Sequence, residues 1–258
     1  MNSVNKTLYI PLYGKSFVSK RGIILRDPKA EEIWAAEGFS LKGKASSKWL
    51  SYYMGMRATV FDRWVVKQLE TMPGAIVLHL GCGMDSRSVR VGNESLMWYD
   101  IDFPEVIAER KKYYPETDLY HMVGTDVRNM DLSEIHGEKA IVVMEGISMY
   151  LQREELLQVL ARLCERFPQV ALLMDCYTTF SAKASRYKNP INEVGVTQVY
   201  GLDDPKLLEN SGLSFVSEHD MTPRCLIEQL SGAEKTIFKK LYAGGIAKKM
   251  YRMYEFRK

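Results

Sequence analysis

Ile76-Val-Leu-His-Leu-Gly-Cys-Gly-Met-Asp-Ser-Arg87 is the stretch that decides the fold. Its apolar run breaks at once into Gly81 and Gly83, and 19 and 21 residues beyond Gly81 stand Asp100 and Asp102. The pattern reads as a buried strand, a turn, and a second strand ending in acid. That layout suits a nucleoside cofactor, whose charged tail crosses the glycine turn while its ribose hydroxyls meet a carboxylate. A dinucleotide suits it less well, because G-x-G-x-x-G requires glycine where this chain has Ser86. S-adenosylmethionine has no pyrophosphate to set against a helix N-terminus, so it does not need that glycine. Read alone, the loop also fits an ordinary structural turn.

Outward from this stretch, strands alternate with helices. Apolar, β-branched runs at 75–80, 96–101, 119–123, 140–145 and 170–176 predict a mostly parallel sheet covered on both faces. Helices are expected over 105–113, where Pro104 suits the first turn, and over 153–167, where Pro168 stops continuation. Towards the N-terminus two helices come first, over 28–37 and 46–70. The second carries Trp49, Tyr52, Tyr53, Met56, Val60 and Trp64 at helical spacing, a packing stripe or a cap over a cofactor mouth.

Beyond the fifth strand the alternation fails. A helix over 178–188, then Asn189-Pro190, Gly195 and Gly201, make 177–203 an insertion at the sheet's carboxyl edge. A helix starting near Asp203 or Asp204 runs to 210, and strands at 213–219 and 250–256 enclose helical decoration over 222–247. The expectation is one α/β domain, with 1–72 a helical cap and 73–258 a core carrying the insertion as a lid. Segments 1–50 and 177–203 are the expected substrate cover, with Phe39, Trp49, Phe180, Tyr187 and Tyr200 supplying apolar surface.

Bulk properties narrow the function classes. At 258 residues one sizeable core is available, and a net charge of +3 is too small to argue for nucleic acid or a membrane surface. The basic run 248–258 reads as a last strand with a solvated face. Cys82, Cys164, Cys176 and Cys225 form no C-x-x-C pair, and His79, His121, His136 and His219 lack ligand spacing, so no metal site is expected. His79 is expected to face a neighbouring helix. The N-terminus has no signal-like apolar run, and a cytoplasmic location is expected.

Three further blocks follow in order: Trp98-Tyr-Asp-Ile-Asp-Phe-Pro-Glu-Val-Ile107, Gly124-Thr-Asp-Val-Arg128 and Met144-Glu-Gly-Ile-Ser-Met-Tyr-Leu151. With LGCGMDSR they resemble the leucine carboxyl methyltransferase family, nearest to its bacterial tetracenomycin-type polyketide O-methyltransferase branch. The likeness is dense over 53–177. It implies a Rossmann-like, class I S-adenosylmethionine methyltransferase with seven strands, the last antiparallel. Ser86, Met84 and Ser148 depart from the family's threonine and two leucines without removing a group the chemistry needs, and Ser148 bears on substrate shape.

The resemblance also assigns roles. Gly81, Cys82 and Gly83 form the cofactor loop, and Asp102, followed by Phe103, takes the ribose. Asp126 takes the adenine amino group and the Val127 N–H the ring, Glu145 the methionyl ammonium, and Arg57 its carboxylate. An extra N-terminal lysine falls among Lys42, Lys44 and Lys48 without a choice between them. The residues alone leave alternatives. Asp100 shares a strand side with Asp102 and either could take the ribose, the strand-end aspartate could instead cap the helix at Pro104, Asp126 could be a turn residue, and Arg57 could be a solvated helical arginine. Glu145, ending an apolar strand, needs a partner. Asp85 shapes the loop, Arg87 pairs with it or meets an anion, and Tyr150 orients substrate or merely packs.

The expected function is S-adenosylmethionine-dependent O-methylation of a small molecule. A carboxylate is favoured over a phenol, because it is ionised at neutral pH and no histidine is placed as a base. The alternatives are a protein C-terminal carboxyl methyltransferase and, from another class, a non-catalytic S-adenosylmethionine-binding protein; a nicotinamide reductase fits least.

Overall fold

The computed structural model describes residues 3–38, 41, 43–92, 95–185 and 198–258, with side chains from Leu8 onward. Seven strands form one sheet: β1 (Ile76–Leu80), β2 (Trp98–Asp102), β3 (Tyr120–Gly124), β4 (Lys139–Met144), β5 (Gln169–Tyr177), β6 (Ser214–Glu218) and β7 (Tyr251–Arg257). Their order is β3-β2-β1-β4-β5-β7-β6, with β1 to β5 parallel and β7 antiparallel to both its neighbours. β1 is buried throughout, so its alternate residues feed two cores. Leu78 and Leu80 join one, and Val77 joins the other.

The first core is closed by a helix whose ends are written in the sequence. Arg153–Arg166 opens on a capping box between Gln152 and Glu155 and stops before Pro168. Its Leu156, Val159, Leu160 and Leu163 fall at i, i+3, i+4 and i+7 and are all buried. At about 1.5–3 kcal/mol for each buried leucine or valine, that stripe fixes the helix on the sheet.

The second face differs from expectation. A helix, α1 (Ser3–Lys20), precedes the two anticipated ones, α2 (Pro28–Glu37) and α3 (Lys48–Thr71). Pro11 lies inside α1, and Gly14 is a second helix breaker, which is why this segment does not read as helical. Tertiary packing overrides the propensity. A Cβ on Gly14 would lie 2.9 Å from Met54 Cβ, so the glycine that weakens α1 allows its close approach to α3. Nor is 1–72 only a cap. Phe61, Trp64 and Val65 of α3 pack on Val77, Ile141, Leu173 and Met253 of the sheet.

The remaining chain places the edges of the site. α4 (Arg87–Val91) follows the glycine loop and α5 (Pro104–Arg110) follows β2, with Pro104 in the first turn. α7 (Thr179–Ser185) follows β5, with α6 the capped helix 153–166. Asn189-Pro190, Tyr187 and Gly195 of the expected lid lie outside the described residues. The helix expected near Asp204 is a 3₁₀ segment, Pro205–Ser211, with Asp204 capping it. The decoration over 222–247 is three short helices, α8 (Arg224–Ile227), α9 (Gly232–Leu241) and α10 (Gly244–Met250). The last strand has no solvated face of the kind anticipated: β7 runs between β5 and β6, and Met253 to Phe256 are buried.

Candidate active site

β1 stands between β2 and β4, where the chain's winding reverses and open α/β sheets hold ligands. A cavity of about 400 Å³ opens there. Its floor is the loop after β1, where Gly81 and Gly83 have φ of +68° and +52°, a region that penalises any Cβ. At Gly81 a Cβ would also lie 2.6 Å from Ile147 Cδ1. Cys82 lines the same loop, and burial pushes its thiol well up, so it stays protonated.

Asp100 and Asp102 leave the same side of β2 with different fates. Asp100 is fully buried and is spent on protein: it accepts from Arg110, from Tyr120 Oη at 2.5 Å and from Trp98 Nε1 at 2.9 Å. Burial opposes its charge, but Arg110, His79 and Tyr120 hold its carboxyl down at about 2. Asp102 lines the cavity, accepting only backbone N–H groups, from Gly83 and Phe103, each at 2.8 Å. A carboxylate has about four lone-pair positions, so about two remain for hydroxyl donors. Burial raises its pKa despite those two N–H donors.

Across the floor, Asp126 lines the cavity and also caps the 3₁₀ turn Val127–Asn129 through Arg128 N at 2.9 Å. The turn reading of Asp126 therefore holds, and the same side chain lines the cavity. The Arg128 side chain bonds it as well, which lowers its pKa. Val127 and the half-exposed Phe103 complete this apolar end.

Glu145 follows β4, and its partners are protein cations. Arg57 Nη2 lies 2.9 Å from Oε1, and Arg87 pairs with Oε2. Burial works against the charge, but the two guanidiniums outweigh it and hold the carboxyl at about 2. Arg57 is not solvated: it is buried, and its second nitrogen reaches Asp175 at 3.0 Å and Tyr251 Oη at 3.3 Å. Its Nε is a buried donor with no partner among the described residues. Asp175 sits below, accepting from Gly146 N at 2.6 Å. Burial lifts it to about 6, Arg57 opposing and Glu145 reinforcing the rise.

This pair belongs to a buried ionic lattice that the sequence did not disclose. Arg87 bonds Asp62 of α3 and Asp85 as well as Glu145, so it is a structural pairing residue. Arg90 bonds Asp62, Asp85 and Asp27, the N-cap of α2. Lys15 of α1 reaches Asp85 at 2.9 Å and lines the cavity. Burial opposes ionisation of Asp85, yet Arg87, Arg90 and Lys15 hold it well below the usual carboxylate range. Three N-terminal helices are thus clamped to the glycine loop by charge. Among the described residues Lys15 is the lysine that lines this cavity: Lys48 is bound to Glu234 and Lys44 is exposed, while Lys42 lies outside the described residues. Its signal was its place inside a helix that Pro11 and Gly14 concealed.

His79 lines the cavity, with its ring nitrogens turned to α4 and β2. Arg87 can only donate, so Nε2 (3.1 Å away) is the acceptor and Nδ1 carries the proton toward Asp100, 3.3 Å away. The aromatic cover also differs from expectation. Trp49 stacks on Tyr242 at 5.6 Å, Phe180 is 64% exposed, and neither these nor Tyr200 line the cavity. Phe39 and Tyr187 lie outside the described residues. The aromatic wall is Tyr150, Tyr177 and Tyr251, beside Leu50, Met54 and Met149. Ser148 is not part of it; its hydroxyl ties the loop after β4 to the Asp175 carbonyl. Among the described residues no His, Cys, Asp and Glu cluster suited to a metal ion occurs, and no helix is long and apolar enough to cross a membrane.

The family model for leucine carboxyl methyltransferase matches residues 3–164. The tetracenomycin polyketide synthesis O-methyltransferase of Streptomyces glaucescens is 28% identical over 243 residues, covering 92% of this chain and 90% of that protein. An S-adenosyl-L-methionine-dependent methyltransferase of Gibberella zeae is 28% identical over 183 residues, 64% of this chain and 61% of its own length. Among solved structures, the Synechocystis magnesium protoporphyrin IX methyltransferase with bound S-adenosylhomocysteine superposes with a TM-score of 0.53, covering 88% of this chain and 93% of that one. At 13% identity that likeness speaks for the fold alone.

Proposed function

The chain belongs to the leucine carboxyl methyltransferase family, and on that premise we propose that it methylates an oxygen of a small molecule, a carboxylate before a phenol. It is an S-adenosylmethionine-dependent methyltransferase. The described residues fit that cofactor. The spare acceptor positions of Asp102 match two ribose hydroxyls, and the orphaned Arg57 Nε is a buried donor suited to a carboxylate. In this reading Gly81, Cys82 and Gly83 pass its tail, Asp126, Val127 and Phe103 hold the adenine, and Glu145 meets the ammonium. Arg57 and Lys15 then meet the methionyl carboxylate.

When bound, that cofactor supplies a methyl group already activated on a sulfonium. The chain's work is therefore positioning and exclusion of water. The observation that carries the carboxylate preference is that His79, the one histidine among the described lining residues, is held between Arg87 and Asp100 and is no free base. His79 Nε2 is taken by Arg87 and its Nδ1 points at the buried Asp100 carboxylate 3.3 Å away, Glu145 is held at about 2 by two arginines, and Tyr150 is raised by burial and stays protonated. A phenol with a pKa of about 10 would need a base, whereas a carboxylate arrives ionised. Tyr150 lines the wall as an orienting group in this reading.

The test is a methyl-transfer screen with labelled S-adenosylmethionine against paired aromatic acids and phenols, alongside calorimetry with S-adenosylhomocysteine. One site per chain and base-stable incorporation into phenols only would defeat the carboxylate assignment; base-labile ester label supports it. Saturation at about 100 times Kd should add about 2.7 kcal/mol to stability. No binding of either ligand would remove the cofactor assignment with it.

A further inference from the structure

The far end of the cavity holds a donor that the cofactor assignment leaves unused. β7 runs antiparallel, so its first residue, not its last, stands at the edge where the parallel strands end. The ladder therefore sets Tyr251 directly opposite Tyr177. Both face the α3 side, because Asp175 and Met253 lie two residues away on the same strands. Tyr251 meets Tyr177 edge-to-face at 4.8 Å and Tyr53 at 6.2 Å, which fixes its ring.

Its hydroxyl is fixed too. A guanidinium has only donors, so across the 3.3 Å contact with Arg57 Nη1 the Tyr251 oxygen must accept. Its own O–H is then turned elsewhere, and no acceptor for it occurs among the described residues. Arg57 is itself held from behind by Asp175, which is anchored on Gly146 N. Burial keeps the Tyr251 phenol protonated. The result is a rigid, unspent donor lining the same cavity as the cofactor loop.

We infer that Tyr251, with Tyr150 and Tyr177 as walls, forms the acceptor subsite and donates its O–H to one oxygen of an acceptor carboxylate while the other oxygen is alkylated. This rests on the methyltransferase reading above and names the group that selects its substrate class. The free carboxylate oxygen forms the new bond to the methyl carbon, and the methyl–sulfur bond breaks with its pair remaining on sulfur. The carboxylate and sulfonium charges cancel, and the Tyr251 proton stays in place. A phenolate has a single oxygen, so the same hydrogen bond would occupy the nucleophile itself. Two oxygens satisfy the site and one does not.

The experiment uses 2-naphthoate and 2-naphthol, which share a ring system, on the full chain saturated with S-adenosylhomocysteine. Wild type is expected to bind naphthoate at least tenfold more tightly than naphthol, a measurement that needs no variant. Tyr251→Phe keeps the ring and should weaken naphthoate about ten- to a hundredfold, the scale of a hydrogen bond to a charged group. Naphthol and S-adenosylhomocysteine affinities should stay within about twofold. Equal losses for both probes, no loss, or no binding of either probe by wild type overturns the subsite. Failure of S-adenosylhomocysteine to bind wild type would instead strike the methyltransferase reading itself.

Discussion

The two walls of the cavity are built in opposite ways. The sheet-edge wall comes from loops directly following β1, β2, β3 and β4, so Gly81, Asp102, Asp126 and Glu145 each sit within two residues of a strand end. The helical wall joins Lys15 and Arg57 to Tyr177 and Tyr251, and its key contact, Arg57 to Tyr251, spans 194 residues of chain. Local geometry makes the first wall; long-range packing and charge make the second. A short motif therefore encodes the sheet-edge wall, while the helical wall is encoded only by the completed fold.

The sharpest way to break that division lies within β2. Asp100→Ala leaves Arg110 buried without its carboxylate, and stripping one partner from such a pair costs about 3–5 kcal/mol of stability. Asp102→Ala removes no cation's partner and should cost about 1.5–3 kcal/mol of S-adenosylhomocysteine affinity instead. Urea denaturation and calorimetry on both variants separate the two effects. If Asp100→Ala weakens binding more than Asp102→Ala in folded protein, the functional wall has been drawn on the wrong aspartate.

That pair also shows how far the sequence could be read. The seven strands fall within two residues of the expected positions, because each is a short apolar run bounded by turn formers. The ten expected site residues all line one cavity: Arg57 reaches it from α3, and the other nine sit at or just beyond strand ends of a parallel sheet, which converge. What separates Asp100 from Asp102 was not legible: Arg110 and Tyr120 reach Asp100 from α5 and β3, and no spacing announces that. Lys15 was hidden by Pro11 and Gly14, whose helix-breaking tendency is overridden by packing on α3. Asp175 looked like one more residue of an apolar strand, and only Arg57 makes sense of it.

A smaller effect sharpens the helical wall. Lys15→Met should lower S-adenosylhomocysteine affinity about tenfold, or about 1.4 kcal/mol. Stability should change little, because Asp85 keeps Arg87 and Arg90. Deleting residues 1–40, by contrast, would remove Lys15, Asp27 and the core side chains Tyr9 and Leu12 together, so cofactor affinity and folding would fall along with turnover. A Lys15→Met protein with unchanged affinity would make α1 a wall of packing alone.

The smallest expected effect is a pH dependence, and it comes from the group beneath that wall. Asp175 is raised from 3.8 to about 6 by burial, with Arg57 pulling down and Glu145 pushing up. The folded state therefore binds its proton more tightly than the unfolded chain does. Holding the charged form costs stability above pH 6, and that cost is relieved as pH falls through 6 toward 3.8. From this group alone the protein should be about 1 kcal/mol more stable at pH 5.5 than at 7.5. Glu145 and Asp100, both held at about 2, act in the opposite sense only at lower pH, where their protonation removes stability. Asp175→Asn carries no titrating group there, so the difference between wild-type and variant denaturation free energies isolates the Asp175 contribution. Parallel pH profiles would mean that Asp175 is neutral throughout this range or is better paired with Arg57 than its contacts imply.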